Sequence, residues 1–273
     1  MIKGIEQELY EMSIDRIVNT DIHKLSDASW RREKREELRA NGASAMIGFL
    51  RAEALAELQK EAEEGFDAAY FNPQTHNIYL TRPDPDLPAS HIRNKEVTSS
   101  KGCICDDVIA AHSPLKQLYH DPLFKAALCD ILEEDALYPY ADNLSSVNIH
   151  YARKGEELGW HFDNSSFAVT LMIQPAASGG TFEYVRDVRN ADAGDMGFAA
   201  CDEILSGKRR PEELKMQPGD LLLFRGRNSL HRVTPVKDDS MRQLAVLAYN
   251  NTPGISLSEH AMKTFYGRIG IVQ

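Results

Sequence analysis

Residues 145–174, SSVNIHYARKGEELGWHFDNSSFAVTLMIQ, contain the pattern that decides the fold. The runs SSVNIHYA and FAVTLMIQ are rich in aliphatic and β-branched residues and flank a polar, glycine-containing connection, which is typical of short strands. Three more such runs follow, at 180–185 (GTFEYV), 220–225 (DLLLFR) and 242–250 (RQLAVLAYN). Because turn-forming residues separate them, residues 142–252 predict a β-barrel or jelly roll, with a charged insertion at 186–218.

Helical patterns lie on both sides of this core. Before it, helices are predicted at 29–40, capped by Asp27 and stopped by Asn41-Gly42, at 51–66, and at 123–140, closed by Pro139. After it, SLSEHAMKTFYGR at 256–268 predicts a closing helix. We therefore predict one α+β domain over residues 1–273, with a helical N-terminal support at 1–141, the β core, and a C-terminal helix within 253–273.

The bulk composition is that of an ordinary globular chain. A hydrophobic content of 42% and a charged content of 26% exclude wholesale disorder. The net charge of −10 argues against a nucleic-acid partner. The beginning of the chain lacks an apolar signal segment, and no stretch approaches the ~20 apolar residues that span a bilayer. The four cysteines lack CxxC spacing, so we expect reduced thiols rather than a zinc site or a disulfide framework. Together with the missing apolar segments, this predicts a cytoplasmic protein without a membrane partner. A homo-oligomer stays possible.

The segment GWHFDN, residues 159–164, carries the first candidate metal ligands. Side chains at i and i+2 of an extended chain point to the same side, so His161 and Asp163 can address one ion. His231, after the run GDLLLFRGRNSL, supplies a second imidazole. Two imidazoles and one carboxylate leave three of six metal coordination positions open, which suits non-haem Fe(II) oxygenases. A keto acid can take two of these positions and O2 can take the third.

Arg242 lies eleven residues beyond His231, at the head of a predicted strand. Inside a barrel, an arginine is a costly buried charge unless it meets an anion. Its guanidinium fork matches a carboxylate, so the distal carboxylate of 2-oxoglutarate is the expected partner. Taken singly, such an arginine is more often a solvated edge residue. A lone HxD motif is also weak evidence for a metal site, because a chain with nine histidines can contain one by chance. The combination carries the prediction.

With these residues the chain resembles the Fe(II)/2-oxoglutarate oxygenase superfamily, and more closely the bacterial radical halogenases of free amino acids, the lysine halogenases among them, and their hydroxylase relatives. The resemblance covers roughly residues 90–270 and rests on these segments: SPLKQLYHDPLF, LYPYADNLSSVNIHYARKGEELGWHFDNSSFAVTLMIQ, GGTFEYV, LLLFRGRNSLHRVTPV and LAYNNTPG. It implies a double-stranded β-helix (cupin-like) core and a free amino acid, or a close derivative, as the small-molecule substrate.

One departure from that resemblance bears on the reaction. In the halogenases, glycine replaces the carboxylate ligand and chloride takes the vacated position. Here Asp163 is present. With two histidines, one carboxylate and a bidentate keto acid bound, a single position remains for O2. The resemblance therefore implies hydroxylation rather than halogenation.

Further residues are candidates for contacts with ligands. Asn148 and Thr170 are expected at the co-substrate, with Tyr151 on the opposite strand face from Asn148, and His150 is interpreted as structural. Candidate substrate contacts are Arg93, Trp160, Asn164, Arg227 and Asn250. Each has a competing interpretation: Asn164 as a turn residue, Trp160 as a core residue, Arg93 as a solvated surface residue, and Thr170 as an ordinary strand residue.

Two alternatives to a free-amino-acid hydroxylase stay open. One is a hydroxylase of a peptide or protein side chain, which would favour an open groove over a covered pocket. The other is a non-catalytic jelly roll that binds a ligand, whose signature would be a lost metal ligand or a lost arginine.

Overall fold

Two antiparallel sheets that pack face to face form the centre of the structure, a computed structural model that describes residues 13–272. Residues 1–12 of the predicted N-terminal support, and residue 273, lie outside the described residues. The large sheet has seven strands and the small sheet has six. This arrangement confirms the predicted jelly-roll core.

The strands are β1 (Ala43–Met46), β2 (Tyr70–Phe71), β3 (Gln74–Asn77), β4 (Glu96–Ser99), β5 (Gly102–Ile104), β6 (Val147–Ala152), β7 (Leu158–His161), β8 (Ala168–Gln174), β9 (Phe182–Val185), β10 (Glu212–Leu214), β11 (Leu221–Phe224), β12 (Leu230–Val233) and β13 (Arg242–Leu247). The order in the large sheet is β1-β11-β8-β13-β6-β5-β2, and in the small sheet it is β10-β9-β12-β7-β4-β3.

The helices are α1 (Ala28–Asn41), α2 (Ala52–Gly65), α3 (Pro114–His120), α4 (Pro122–Leu132), α5 (Phe198–Leu205) and α6 (Glu259–Tyr266). Short 3₁₀ turns occur at Ile14–Arg16, Phe66–Ala68 and Ala191–Ala193. None of the described helices is long and apolar enough to cross a membrane.

The first helix begins and ends where its sequence predicts. The Asp27 carboxylate accepts hydrogen bonds from the backbone N–H groups of Ser29 and Trp30, which have no partner within the helix. The helix stops at Gly42, whose φ of 71° lies in the left-handed region that glycine adopts without strain.

Two features of the N-terminal half differ from the sequence-based expectation. The third predicted helix does not run on to Pro139: α4 ends at Leu132, because Glu133 takes up a left-handed conformation with φ of 64°. The region predicted to be mainly helical also contributes strands to the edges of both sheets. The apolar run SAMIGFL at 44–50 predicts a strand and β1 begins there, whereas β2 to β5 were not predicted. Strands β2 to β5 have two to four residues and show too little alternation to be recognised from sequence.

Helices α1 to α4 pack on the outer face of the large sheet. Residues such as Leu58, Phe124 and Ile149 are buried together there, and the Tyr151 hydroxyl donates a 2.7 Å hydrogen bond to the Ala62 carbonyl of α2. The inner faces of the two sheets meet in a second apolar cluster, which surrounds the cavity described below. The outer layer thus supports the sheet, and the inner faces are left to line the site.

We expect Tyr151→Phe to lower the free energy of unfolding by about 1–2 kcal/mol, because it removes one buried hydrogen bond at constant packing. Denaturant unfolding measures the change. Tyr70→Phe, at a tyrosine 36% exposed, is the matched control and should leave stability within about 0.5 kcal/mol. Equal effects of the two substitutions would contradict the role given to the Tyr151 hydroxyl.

Candidate metal centre and co-substrate site

The three predicted metal ligands meet at one point between the sheets. β12 pairs with β7 so that His231 lies directly opposite His161. Asp163 follows β7 by two residues, and its Oδ1 lies 3.7 Å from Nε2 of His161 and 3.5 Å from Nε2 of His231. One ligand atom from each of the three residues lies within 4.8 Å of the other two. The group has the composition and spacing of a two-histidine, one-carboxylate metal site.

Backbone carbonyls set the orientation of both imidazoles. Nδ1 of His161 lies 2.8 Å from the Gly159 carbonyl, and Nδ1 of His231 lies 2.9 Å from the Ser229 carbonyl. Each carbonyl accepts a hydrogen bond from the Nδ1–H group, which leaves the Nε2 lone pair free to face the centre. Burial, together with the His231 charge, lowers the pKa of His161 to about 3. The imidazole of His161 is therefore neutral at pH 7, as a metal ligand must be.

The Asp163 carboxylate fits the same role. Burial opposes its ionisation, but the neighbouring His231 and His161 outweigh burial, so the pKa of Asp163 lies below its ordinary value. Its Oδ2 atom is buried without a hydrogen-bond partner among the described residues. A buried carboxylate oxygen without a partner is costly in an apolar surrounding, and a cation supplies what this one lacks.

Gly226 makes the space for that carboxylate. The Asp163 backbone N–H donates to the Gly226 carbonyl at 3.1 Å, which brings the two chains into contact. A Cβ atom at position 226 would lie 1.8 Å from Oδ2 of Asp163. Any side chain at this position would therefore displace the carboxylate.

Arg242 is buried at the beginning of β13 and faces the same cavity. Its Nε has no hydrogen-bond partner among the described residues, and no carboxylate there forms an ion pair with it. Burial lowers its pKa to about 10, so the guanidinium stays charged at neutral pH. A desolvated cation without a counter-ion fits the distal carboxylate of 2-oxoglutarate.

A cavity of about 390 Å³ joins the triad to Arg242. Of the other predicted site residues, Thr170 on β8 and Asn164 after the triad also line it. The structure thus brings together His161, Asp163, His231, Arg242, Thr170 and Asn164.

The remaining five predicted residues do not line this cavity. The Asn148 amide donates to the Leu144 and Val147 carbonyls and accepts from the Tyr266 hydroxyl. Trp160 lies in an apolar cluster on the opposite side of β7 from His161, as strand alternation requires.

The two arginines and the second asparagine are held elsewhere. Arg93 contacts the Thr81 hydroxyl and the Tyr79 ring, and Arg227 forms a 2.7 Å ion pair with Asp192 in the insertion. Asn250 exchanges backbone hydrogen bonds with Tyr138. Local partners therefore account for the two arginine side chains, whereas Nδ2 of Asn250 is buried without a hydrogen-bond partner among the described residues.

Three of the lysine and histidine side chains that line the cavity were not predicted as site residues. Lys101 and His150 face it from the large-sheet side, and His76 of β3 faces it from the small sheet, with its ring 6.5 Å from that of His161. His150 stands two residues from Asn148 on the same strand face, and it is His150 that lines the cavity. No spacing rule links Lys101 or His76 to the triad in the sequence.

A model of the Halogenase D family matches residues 26–266, which is most of the chain. The chain belongs to that family. Among curated proteins, no sequence matches it significantly.

Three of the similar solved structures illustrate its fold. An oxidoreductase of the 2OG-Fe(II) oxygenase family from Burkholderia pseudomallei is 16% identical with a TM-score of 0.53, over 83% of this chain and 93% of that one. The non-heme alpha ketoglutarate dependent epimerase SnoN from nogalamycin biosynthesis is 14% identical with a TM-score of 0.56, over 82% and 84%. A prolyl hydroxylase from Trichoplax adhaerens, in complex with a hypoxia inducible factor peptide fragment, is 12% identical with a TM-score of 0.50, over 83% and 95%. At these identities the likeness concerns the fold.

The family, the assembled triad and the buried arginine together make the chain an oxygenase that depends on Fe(II), 2-oxoglutarate and O2. The predicted superfamily and cofactors are thereby confirmed. The kind of substrate is a separate question.

We expect His161→Ala and His231→Ala each to abolish high-affinity Fe(II) binding and turnover while the protein still folds, because each removes one of three protein ligands. Metal content after desalting and thermal unfolding measure the two effects. His112→Ala, at an exposed histidine, is the control and should bind iron as the wild type does. Near wild-type turnover of either triad variant at saturating Fe(II) would overturn the assignment.

Gly226→Ala is expected to weaken Fe(II) binding by about 10- to 100-fold, since the added methyl group would displace the Asp163 carboxylate. Equilibrium titration with Fe(II) under anaerobic conditions measures the affinity. The double variant Gly226→Ala/Asp163→Ala should bind iron as weakly as Asp163→Ala and no more weakly, because both changes act on the same ligand. Additive losses would show that Gly226 acts by another route.

Proposed function

We propose that this oxygenase hydroxylates an unactivated carbon of a free amino acid or a close derivative, with release of succinate and CO2. The observation that carries the proposal is the Asp163 carboxylate, which lies close enough to both imidazoles to bind the same metal ion. The family to which the chain belongs is named for halogenation. A carboxylate there takes the position that a halide needs. The remaining position serves O2, which favours transfer of oxygen to the substrate.

The protein residues act by binding and orientation. His161, Asp163 and His231 would hold Fe(II), and iron with 2-oxoglutarate and O2 supplies the oxidising chemistry that breaks a C–H bond. Arg242 would bind the distal carboxylate of 2-oxoglutarate, and the Thr170 hydroxyl faces the same space. Asn164, next to the triad and at the cavity wall, is placed to hydrogen-bond a substrate. The apolar walls exclude water from the centre.

The covering of the cavity supports a small substrate over a peptide. Thr264 and Phe265 of α6 form part of the wall. Asn72 and Gln74 both donate to the Thr264 carbonyl, at 3.0 and 3.3 Å, and so tie α6 across the opening. A peptide substrate needs an open groove, whereas this arrangement suits a molecule that is enclosed.

The charges of the cavity restrict the substrate further. Among the described residues that line it, Asp163 is the sole carboxylate, while Lys101 and Arg242 are cationic. The charged side chain of a bound lysine or arginine substrate would lose its hydration there without gaining an acidic partner. That desolvation would weaken binding by about several kcal/mol. We therefore favour amino acids with neutral or acidic side chains over lysine and arginine.

We also propose that the chain is one domain. Strands from the N-terminal part flank the later strands in the large sheet, where β1 pairs with β11 and β5 pairs with β6. Separation of the halves would expose β11 and β6 as unpaired sheet edges.

Wild-type enzyme with Fe(II), 2-oxoglutarate, O2 and a panel of free amino acids should give a product heavier by one oxygen atom. It should give no chlorinated product at high chloride, because Asp163 occupies the halide position. Mass spectrometry distinguishes the two by mass and by the chlorine isotope pattern. A chlorinated amino acid from the wild-type enzyme would overturn the proposed reaction.

The same panel tests the substrate class. Amino acids with neutral or acidic side chains should stimulate 2-oxoglutarate decarboxylation more than lysine and arginine do. If none of the panel stimulates decarboxylation while the enzyme binds 2-oxoglutarate, a free amino acid is not the substrate.

A further inference from the structure

Lys101 lies in one row with Arg242 across the large sheet. β5 pairs with β6 so that Gly102 is opposite Tyr151, which sets Lys101 beside Ala152. On the other side of β6, Ala152 is opposite Arg242 of β13. Residues side by side on neighbouring strands share a face, so Lys101 and Arg242 flank Ala152, and both line the cavity.

The space between the two cations is open. Neighbouring strands lie about 4.8 Å apart, so the backbones of Lys101 and Arg242 are separated by about 10 Å. Ala152 stands between them with only a methyl group. Two long side chains on either side of a short one can converge on a ligand above it.

Lys101 forms no ion pair with a carboxylate among the described residues, and the acidic group that affects its pKa is the thiol of Cys103. Its Nζ lies 3.3 Å from Nε2 of His150, so the ammonium donates to that imidazole. Burial lowers the pKa of Lys101, the Cys103 thiol opposes that shift, and Arg242 adds to it. Burial and the same two cations hold the pKa of His150 well below its ordinary value, so His150 is a neutral acceptor and adds no charge.

Two buried cations on one face, without a carboxylate between them, repel each other unless an anion binds. 2-Oxoglutarate brings such an anion to Arg242, at the row where Lys101 also stands. A carboxylate has two oxygens and about four lone-pair directions, so it can accept from a guanidinium and an ammonium together.

We propose that Lys101 is a second anchor of the co-substrate, and that its ammonium and the Arg242 guanidinium hold the same distal carboxylate above Ala152. The inference extends the co-substrate site of the proposed function. It does not depend on which substrate is hydroxylated.

Binding of 2-oxoglutarate to the Fe(II) enzyme without O2 and without substrate tests the proposal, with the Kd measured by titration calorimetry. Lys101→Met should raise the Kd by about 10- to 100-fold, the effect of one hydrogen bond between charged groups. Lys101→Arg should retain most of the affinity. Lys95→Met, at an exposed lysine of the preceding segment, should bind as the wild type does.

Pyruvate, a keto acid that lacks the distal carboxylate, separates the two ends of the co-substrate. Its affinity should be the same for the wild type and Lys101→Met. In a double-mutant cycle, Lys101→Met should weaken 2-oxoglutarate binding less in an Arg242→Leu background than in the wild type, because the two residues share one carboxylate.

Two results would overturn the proposal: an unchanged Kd for 2-oxoglutarate in Lys101→Met, or an equal loss of affinity for pyruvate. Thermal unfolding checks that each variant folds, and Lys101→Gln replaces Lys101→Met if the latter does not. Because no amino acid is present, failure of the proposed hydroxylation leaves this result unaffected.

Discussion

The pairing of β12 with β7 is the interaction on which the rest of the site depends. It places the His231 and His161 rings with their centroids 4.1 Å apart, and the adjacent backbone carbonyls orient both rings. Two imidazoles so close in a buried place repel each other when protonated, and burial keeps the ring of His161 neutral. The sheet therefore presents the lone pair of His161 rather than a charge, and the Asp163 carboxylate completes a group suited to a cation.

The second constraint is the charge at the opposite end of the cavity. Arg242 is held without an anionic partner among the described residues, and the φ of +59° at Gly180 lets the neighbouring turn pass its side chain closely. The fold thus bears one anionic ligand at the metal end and cations at the far end. A molecule that is a dicarboxylate with a chelating keto group satisfies both ends at once. This polarity, more than cavity size, selects the co-substrate.

The sequence predicted the parts of the fold and site that repeat over several residues or follow a known spacing. This class includes the Asp27 cap, the triad and the strands β6, β8, β9, β11 and β13, because alternation, capping and the HxD pattern are local. The strands β2 to β5 were not predicted, since they are two to four residues long and owe their conformation to their neighbours. Lys101 was likewise not predicted, because its place beside Arg242 follows from the pairing of β5 and β13 with β6, which no local sequence pattern encodes. Arg227 and Arg93 resembled anion ligands in sequence, but nearby partners in the fold already engage them.

The bare backbone of Gly226 against the Asp163 carboxylate has an evolutionary consequence. Because position 226 has no side chain, the volume beside the metal is bounded there by main chain alone. Replacement of Asp163 by glycine would empty that volume without any need to remodel the opposing wall. Codons for aspartate and glycine differ by a single nucleotide, so one point mutation can turn the carboxylate's place into a small anion-sized recess.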